Sequence, residues 1–327
     1  MREVTEKIST FERAVVTGGA GFLGSHLCER LVGLGTEVVC VDNLVTGRKE
    51  NIAGLLESPK FTFLEQDVVQ GLAVSGRVDL VVHGASPASP KDYHSLPIET
   101  LRAGSEGTVN ALELALAKDA RFLLMSTSEV YGDPAEHPQP ESYHGNVNPV
   151  GPRSSYDEAK RFAEAMTMAY RRHRDVDTAV ARIFNSYGPL LRPDDGRVIP
   201  TFIHQALTGR AITIAGDGLQ TRSFCYVADM VDGLLALASS RSAGPVNIGN
   251  PVEITILEIA DKIRQLCGSA SPLEFVPLPD EDPRVRCPDI RLAEAELAWH
   301  PSTDLDTGLR KTIAWMTTVT VDEPCRI

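Results

Sequence analysis

The chain has 327 residues, of which 43% are hydrophobic, enough for one large domain or two unequal ones. Its formal net charge is −12, and an acidic chain without a basic stripe is a poor nucleic-acid binder, so we expect no nucleic-acid partner. The first residues are polar and no apolar run reaches membrane-spanning length, which predicts a soluble, cytoplasmic protein without a membrane anchor. The six cysteines show no metal-ligand spacing, which predicts reduced thiols and no bound metal.

The first predicted unit is a strand, a glycine-rich turn, a helix and a second strand. A β-branched run at residues 13–17 ends at Gly18, and a helical pattern then continues to about Val32. A second apolar run at residues 37–41 ends at Asp42. This β-α-β unit spans about 30 residues, the size of a parallel crossover.

The glycines of the turn have separate expected roles. Gly18 allows the tight turn, Gly21 lets the backbone approach a pyrophosphate, and Gly24 lets the helix pack on the strand. The helix N-terminus supplies partial positive charge to phosphates. Asp42 can accept hydrogen bonds from ribose hydroxyls and would repel a 2′-phosphate, so the pattern favours NAD over NADP, with Arg48 tempering that exclusion.

Four more strands are predicted at residues 61–65, 78–83, 121–125 and 178–183, separated by helices that include residues 97–118 and 156–173. Six strands alternating with helices predict an α/β fold with a doubly wound parallel sheet of the Rossmann type. Asp67 and Val68 follow the third strand and could bracket an adenine ring, the alternative being that Asp67 caps a helix. Ala85 and other small residues follow the fourth strand and suit close approach to a cofactor.

After Asn185 the segments become shorter and richer in proline and glycine, with helical runs near residues 198–208, 227–237, 255–266, 290–297 and 305–316. We therefore predict an NAD-binding Rossmann domain in residues 1–182, to which a segment at about 223–250 returns. The remaining chain, residues 183–327, is predicted to be a smaller C-terminal substrate-binding region.

Tyr156 and Lys160 lie four residues apart in a predicted helix and hence on one face of it. An ammonium beside a phenol favours the phenolate, which can draw a proton from a substrate hydroxyl at neutral pH. Thr127 ends a central strand at the same edge of the sheet and can hydrogen-bond that hydroxyl. The alternative is an ordinary tyrosine and lysine on a solvated helix face.

Together with the glycine turn and Asp42, these residues resemble the extended short-chain dehydrogenases/reductases that act on nucleotide sugars. The resemblance covers residues 13–315, and within that family the chain most resembles the UDP-glucuronate decarboxylases. The blocks that carry it are residues 85–90, 127–134, 151–161, 181–185, 195–198, 220–224 and 286–290. Two departures are Lys91-Asp92, where less charged residues are frequent, and Cys287, where a lysine is frequent.

The resemblance implies a reaction and a set of site residues. Tyr156 takes the C4 hydroxyl proton while NAD oxidises C4, carbon dioxide leaves the resulting 4-keto uronic acid, and the NADH formed reduces C4 to give UDP-xylose. Implied cofactor contacts are Gly18, Gly21, Phe22, Leu23, Gly24, Asp42, Asn43, Asp67, Val68, Ala85, Tyr156 and Lys160. Implied catalytic residues are Thr127, Ser128, Glu129, Tyr156, Lys160 and Arg286, and implied substrate contacts are Tyr93, Asn185, Arg197, Arg222 and Arg286.

The family also implies a homodimer formed through a four-helix bundle, and it leaves other activities open. Nucleotide-sugar 4,6-dehydratases carry an aspartate where this chain has Ser128, and a serine is a poor proton donor. 4-Epimerases usually lack the carboxylate of Glu129. A 4,6-dehydratase or 4-epimerase is the enzyme alternative, and a non-catalytic, NAD-bound nucleotide-sugar sensor is the alternative of another class. The nucleotide base, uridine or thymidine, stays open.

Overall fold

Seven parallel strands form the central sheet in the computed structural model, which describes residues 11–278 and 285–321. The strands within the described residues are β1 (Arg13–Thr17), β2 (Glu37–Asp42), β3 (Phe61–Glu65), β4 (Leu80–His83), β5 (Arg121–Thr127), β6 (Thr178–Ile183), β7 (Ser186–Tyr187), β8 (Ile212–Ala215), β9 (Thr221–Ser223), β10 (Cys225–Tyr226), β11 (Val246–Ile248), β12 (Glu253–Thr255) and β13 (Leu273–Val276). The central sheet has the order β11-β6-β5-β4-β1-β2-β3, and the pairs β7–β10, β9–β12 and β8–β13 form small separate sheets.

Helices cover both faces of the central sheet. Those in the described residues are α1 (Phe22–Gly33), α2 (Pro90–Ser95), α3 (Pro97–Arg102), α4 (Thr108–Lys118), α5 (Ser154–Arg174), α6 (Val198–Leu207), α7 (Val227–Ser239), α8 (Ile256–Leu266), α9 (Arg291–Leu297) and α10 (Leu305–Val321). Short 3₁₀ turns lie at Lys49–Leu55, Val68–Gln70 and Ser128–Tyr131, and a π turn at Ala103–Gly107 joins α3 to α4. None of the described helices combines the length and apolar composition needed to cross a bilayer.

The fold class predicted from the sequence is confirmed, and the differences are small. The first, third and sixth strands have the predicted bounds, while β2 and β5 run on to Asp42 and Thr127. The seventh strand, β11, pairs with β6 at the edge of the sheet and lies inside the segment that was expected to return. The predicted helix at 97–118 is helical throughout, but the π turn divides it.

Two hydrophobic clusters sandwich the sheet because its central strands are apolar on both faces. Val16 of β1 and Leu27 of α1 belong to one cluster, and Val15 of β1 and Leu112 of α4 belong to the other. The cysteines at 28, 40, 225, 267 and 287 are free thiols, and Cys325 lies outside the described residues. The parallel strands end at one edge of the sheet, which places the residues that follow them around a single cleft.

The backbone around Gly132 leaves no room for a side chain, which gives a stability prediction. Its φ is 63°, and an added Cβ would lie 1.9 Å from the carbonyl oxygen of Asn146. Gly209 has a similar φ of 69°, but nothing lies within 4 Å of an added Cβ. Left-handed backbone costs an alanine about 1–2 kcal/mol, so Gly209→Ala should lower the free energy of unfolding by about that amount.

Gly132→Ala adds a backbone overlap to the same left-handed cost and should lower the free energy of unfolding by about 3 kcal/mol or more. Urea denaturation of both variants and the parent chain measures the difference. Equal losses in the two variants would contradict the close packing of Gly132 against Asn146.

Candidate active site

A cleft of about 860 Å³ lies at the carboxyl ends of the central strands. It collects residues from the glycine turn, from the ends of β2, β4, β5 and β6, and from α2, α5 and the C-terminal part of the chain. The residues that the sequence singled out and that line it are Gly18, Gly21, Phe22, Leu23, Gly24, Asp42, Asn43, Asp67, Val68, Ala85, Tyr93, Thr127, Ser128, Glu129, Tyr156, Lys160, Asn185, Arg197, Arg222 and Arg286. The fold therefore brings the predicted site residues together.

The glycine turn has the shape that a dinucleotide requires. Helix α1 begins after Gly21, and no described side chain caps its N-terminus, so its first N–H groups face the cleft without a side-chain acceptor. A Cβ on Gly24 would lie 2.1 Å from the carbonyl oxygen of Gly18, so the turn closes this tightly only with glycine. The turn and the helix end together fit a pyrophosphate.

Asp42 is fixed at the end of β2 by two backbone groups. Its Oδ2 accepts a hydrogen bond from the N–H of Ala20 at 3.0 Å, and its Oδ1 accepts one from the N–H of Leu44 at 2.8 Å. Burial raises the pKa of the carboxyl, and these two donors counteract part of the rise. Arg48 lies 3.5 Å from Asp194, so its guanidinium is engaged across the cleft.

Asp67 caps a helical turn, which was the alternative to an adenine contact in the sequence analysis. Its Oδ1 accepts a hydrogen bond from the N–H of Val69 at 2.9 Å and caps the short turn Val68–Gln70. Both Asp67 and Val68 also line the cleft. A contact with an adenine ring stays a prediction.

Tyr156 and Lys160 face the cleft from the first turns of α5, beside the end of β5. The Lys160 ammonium donates to the carbonyl of Met125 at 2.9 Å and lies 5.9 Å from the centroid of the Tyr156 ring. Burial raises the pKa of Tyr156 to about 12, although a hydrogen bond with Thr127 and the charge of Arg197 both lower it. Burial also lowers the pKa of Lys160 to about 8.

These values correct one sequence-based expectation. The two residues lie on one helix face as predicted, but burial outweighs the hydrogen bond with Thr127 and the charge of Arg197, so the phenol is neutral in the chain alone. The reason is desolvation, which penalises a phenolate more than these two neighbours favour it.

Tyr93 of α2 stacks on Tyr156, with ring centroids 5.1 Å apart and an interplanar angle of 9°. The Tyr93 side chain is buried, and its hydroxyl has no hydrogen-bond partner among the described residues. A buried hydroxyl without a partner is costly, so it is available for a group that enters the cleft.

Glu129 carries a partly buried charge at the base of the cleft. Its Oε2 lies 3.3 Å from Nη2 of Arg286, which is 1% exposed and also donates to the carbonyl of Ser128 at 2.9 Å. Arg153 forms a second ion pair with the same oxygen. Burial alone would raise the pKa of Glu129, but Arg286, Arg153 and Arg222 together hold it below its ordinary value.

The sequence did not assign roles to two residues of this cluster. Arg153 precedes α5 within the 151–161 block, and this block was the available signal. Asp157 is buried beside Tyr156, and its Oδ1 has no hydrogen-bond partner among the described residues. Burial and the Glu129 carboxylate raise the pKa of Asp157 to about 7. The pairing of Arg153 with Glu129 joins residues 24 positions apart and leaves no local pattern in the sequence.

The part of the cleft that is lined by residues after β6 includes the arginines Arg197 and Arg222. Arg197 donates to the carbonyl of Ala88 at 2.5 Å, and Arg222 on β9 donates to the carbonyl of Thr221 at 2.8 Å. Asn185 lies just after β6 and lines the same cleft. The clustered amide and guanidinium groups suit a diphosphate.

The two departures from the family pattern have structural partners. Lys91 lies 2.7 Å from Asp194, and Asp92 lies 2.7 Å from Arg192, so both bridge α2 to the loop before α6. Cys287 is buried and its N–H donates to Oε1 of Gln139. Across residues 11–278 and 285–321, no three histidine, cysteine or acidic side chains are grouped as metal ligands would be.

Comparison with known proteins agrees with this geometry. The sequence model of the NAD dependent epimerase/dehydratase family matches residues 14–249. UDP-glucuronic acid decarboxylase 1 of Arabidopsis thaliana is 49% identical over 302 residues, covering 92% of this chain and 69% of the relative. UDP-glucuronic acid decarboxylase 1 of Danio rerio is 50% identical over 304 residues, covering 93% of this chain and 72% of the relative.

Solved structures show the same fold. UDP-glucose 4-epimerase from Thermotoga maritima, solved with UDP-glucose, has a TM-score of 0.85 at 26% identity and covers 94% of this chain and 99% of its own. A dTDP-glucose 4,6-dehydratase from Streptomyces venezuelae, solved with NAD, has a TM-score of 0.84 at 26% identity and covers 94% of this chain and 97% of its own. The chain belongs to the NAD dependent epimerase/dehydratase family and is similar over most of its length to UDP-glucuronic acid decarboxylases.

Proposed function

We propose that this chain is an NAD-dependent UDP-glucuronate decarboxylase that forms UDP-xylose through a 4-keto intermediate. The observation that carries the proposal is the partly buried Glu129, paired with Arg286 and Arg153 beside Tyr156, in a chain about half identical to UDP-glucuronic acid decarboxylases. NAD, when bound, supplies a reversible hydride acceptor for C4 of the sugar, so the cofactor is not consumed.

The residues that would hold NAD are the glycine turn with the N-terminus of α1, Asp42 at the ribose, and Lys160. The supporting observations are the tight turn at Gly18 and Gly24 and the tethered Asp42 carboxylate. The neighbouring Asn43, Asp67, Val68 and Ala85 would line the adenosine side. The shape of the cleft and the family support these assignments.

Tyr156 is the proposed acid and base at the C4 hydroxyl. It takes the hydroxyl proton when C4 is oxidised, which requires a lower pKa than the isolated chain gives it, and the hydrogen bond with Thr127 and the charge of Arg197 act in that direction. The sugar carboxylate is then β to a ketone, so its C–C bond breaks and carbon dioxide leaves with the electron pair delocalised onto the C4 oxygen. The neutral phenol and the Thr127 hydroxyl stabilise that oxyanion by donating hydrogen bonds.

Glu129, Arg286 and Ser128 would arrange the sugar and deliver a proton to C5 after carbon dioxide has left. A proton must return to C5 because the enolate formed there has gained the electron pair of the broken bond. The Glu129 carboxylate is held ionised by its arginines, so it can orient a water or a hydroxyl near C5. The Tyr93 hydroxyl, buried and without a partner, is suited to the sugar carboxylate.

Asn185, Arg197 and Arg222 would bind the diphosphate. A UDP-sugar is the proposed substrate, and uridine is favoured because relatives that are 49% and 50% identical are named UDP-glucuronic acid decarboxylases. A 4,6-dehydratase is disfavoured because Ser128 is 2% exposed with its carbonyl held by Arg286, and it offers no acid to expel water.

We also propose the domain division and the location. Residues 1–182, with the segment 223–250, form the cofactor half, and the rest of 183–327 forms the substrate half. The pairing of β11 with β6 supports the return of that segment. The free thiols of the described cysteines suit a reducing compartment, which supports a cytoplasmic enzyme.

We further propose that the enzyme is a homodimer formed by α3–α4 and α5 of two copies in a four-helix bundle. The helices α3 and α5 pack on each other and carry exposed apolar side chains: Ile98 is 62% exposed, Leu101 40% and Phe162 41%. Covering such a face against its own copy is an isologous contact.

The proposed reaction predicts catalytic use of the cofactor. Purified chain incubated with UDP-glucuronate and a substoichiometric amount of NAD should release carbon dioxide and form UDP-xylose in many-fold excess over the NAD. Trapped carbon dioxide and NMR of the product measure the result. Loss of water from a nucleotide-linked glucose, without carbon dioxide from UDP-glucuronate, would assign the chain to the dehydratases.

Tyr156→Phe should lower the rate of carbon dioxide release by about 10²–10⁴-fold, because positioned proton transfer contributes that much. UDP binding should barely change, since the diphosphate contacts lie elsewhere. Tyr170→Phe is the matched control, because it removes a hydroxyl from the same helix outside the cleft, where that hydroxyl hydrogen-bonds Glu113. The control should change the rate far less, and equal losses in the two variants would remove Tyr156 from the chemistry.

The proposed dimer predicts a mass of two chains by light scattering at micromolar concentration. Phe162→Glu places a charge on the exposed apolar face of α5 and should give a monomer. Leu219→Glu is the control, because Leu219 is 64% exposed but lies in the loop after β8. A monomeric parent chain, or a dimer that survives Phe162→Glu, would contradict the proposed interface.

A further inference from the structure

Three side chains of α5, each four residues from the next, connect that helix to the end of β5. Tyr156 hydrogen-bonds Thr127, and Lys160 donates to the carbonyl of Met125 at 2.9 Å. The third is Glu164, whose Oε1 accepts a hydrogen bond from Ser126 at 2.7 Å. The proposed reaction uses the first two and gives Glu164 no part.

The Glu164 carboxylate is also bound by a residue of a second strand, β6. Arg182 of β6 donates from Nε to Oε1 at 3.0 Å and from Nη2 to Oε2 at 2.8 Å. The Arg182 and Glu164 side chains are 12% and 15% exposed, and Arg182 is itself fixed by a 3.0 Å hydrogen bond to the Tyr131 hydroxyl. A bidentate pair of this kind sets both distance and orientation.

Few titratable groups face Lys160 in the part of the chain that is described. Glu164 stands one turn along the same helix, and the Tyr156 phenol stands one turn before it. From β4, His83 faces Lys160 but is neutral, because burial lowers its pKa to about 3, and its ring nitrogens bind the Thr17 and Thr108 hydroxyls. Glu164 is therefore the anion that opposes the desolvation of the Lys160 ammonium.

We propose that Glu164 is a positioning residue for Lys160: it keeps the buried ammonium protonated at working pH and holds α5 in register with the end of β5. Arg182 moderates the effect by neutralising part of the Glu164 charge. The inference rests on the proposed function only where Lys160 acts in catalysis. The rival interpretation is an ion pair that merely joins α5 to β6.

The charge variant should move a pH profile in a defined direction. Glu164→Gln keeps the size and an oxygen that can accept from Ser126, but it removes the negative charge. The pKa of Lys160 should then fall, so the alkaline limb of carbon dioxide release should move to lower pH by about one unit. The KM for UDP-glucuronate should stay within about twofold, because the diphosphate contacts are remote.

Arg182→Gln should shift the pH profile in the opposite direction. It leaves the Glu164 carboxylate uncompensated, so the alkaline limb should move to higher pH. Ser126→Ala is the matched control, because it removes the hydrogen bond to Glu164 without changing any charge, and it should leave the midpoint of that limb in place. A merely structural pair would lower the unfolding temperature in both charge variants and move neither midpoint.

A second readout is independent of decarboxylation. The rate at which cyanate carbamylates Lys160 in the NAD-free chain, followed by peptide mass spectrometry across pH, reports the protonation of that amine directly. Its midpoint should fall in Glu164→Gln and rise in Arg182→Gln. Unchanged midpoints in folded variants would overturn the inference. A chain that releases no carbon dioxide but shows these opposite shifts would overturn the proposed function and keep the inference.

Discussion

Buried charge lies at the floor of this cleft, and a carboxylate lies near each of the two buried cations there. Arg286 is 1% exposed and Lys160 is 6% exposed, and each lies near a carboxylate, Glu129 and Glu164 respectively. Burying an unpaired ion costs several kcal/mol, and breaking a buried pair costs about 3–5 kcal/mol. Because the alternatives are so costly, each ion is confined to one place. Confinement of this kind is what a site that must aim a proton at one atom requires.

The two charged clusters belong to one polar network that runs under the cleft. Arg182, which pairs with Glu164 near Lys160, donates to the Tyr131 hydroxyl at 3.0 Å. That hydroxyl donates to Oδ1 of Asn247 at 2.8 Å. The Asn247 amide donates to the carbonyl of Gln139 at 2.9 Å, and the Gln139 side chain accepts from the N–H of Cys287 at 2.9 Å. Cys287 directly follows Arg286, which pairs with Glu129. Since Asn247 lies on β11, the return of the chain to the sheet links the C-terminal region to the catalytic edge.

The sequence predicts the fold and the residues that form the site better than it predicts the charge states of those residues. The spacing of Tyr156 and Lys160 and the glycine turn are local patterns, so they are visible in a single chain. The pairs of Arg153 with Glu129 and of Arg182 with Glu164 join residues 24 and 18 positions apart, and no periodicity reports them. The neutral phenol escaped prediction for the same reason, because desolvation depends on atoms that arrive from many segments. Position follows from local pattern, whereas charge state follows from three-dimensional burial.

The mouth of the cleft is held by a different class of interaction from its floor. Asp194 meets Lys91 at 2.7 Å and Arg48 at 3.5 Å, but these three side chains are 48–57% exposed. Exposed pairs are worth about 0–1 kcal/mol each and weaken with salt, so the loop before α6 is joined to α2 and to the cofactor side by contacts that open readily. The neighbouring pair of Arg192 and Asp92, whose side chains are 17% and 14% exposed, is the firmer anchor of that loop. The ion pairs at the floor therefore hold the groups that handle protons, whereas the exposed pairs at the mouth contribute little to holding the loop before α6.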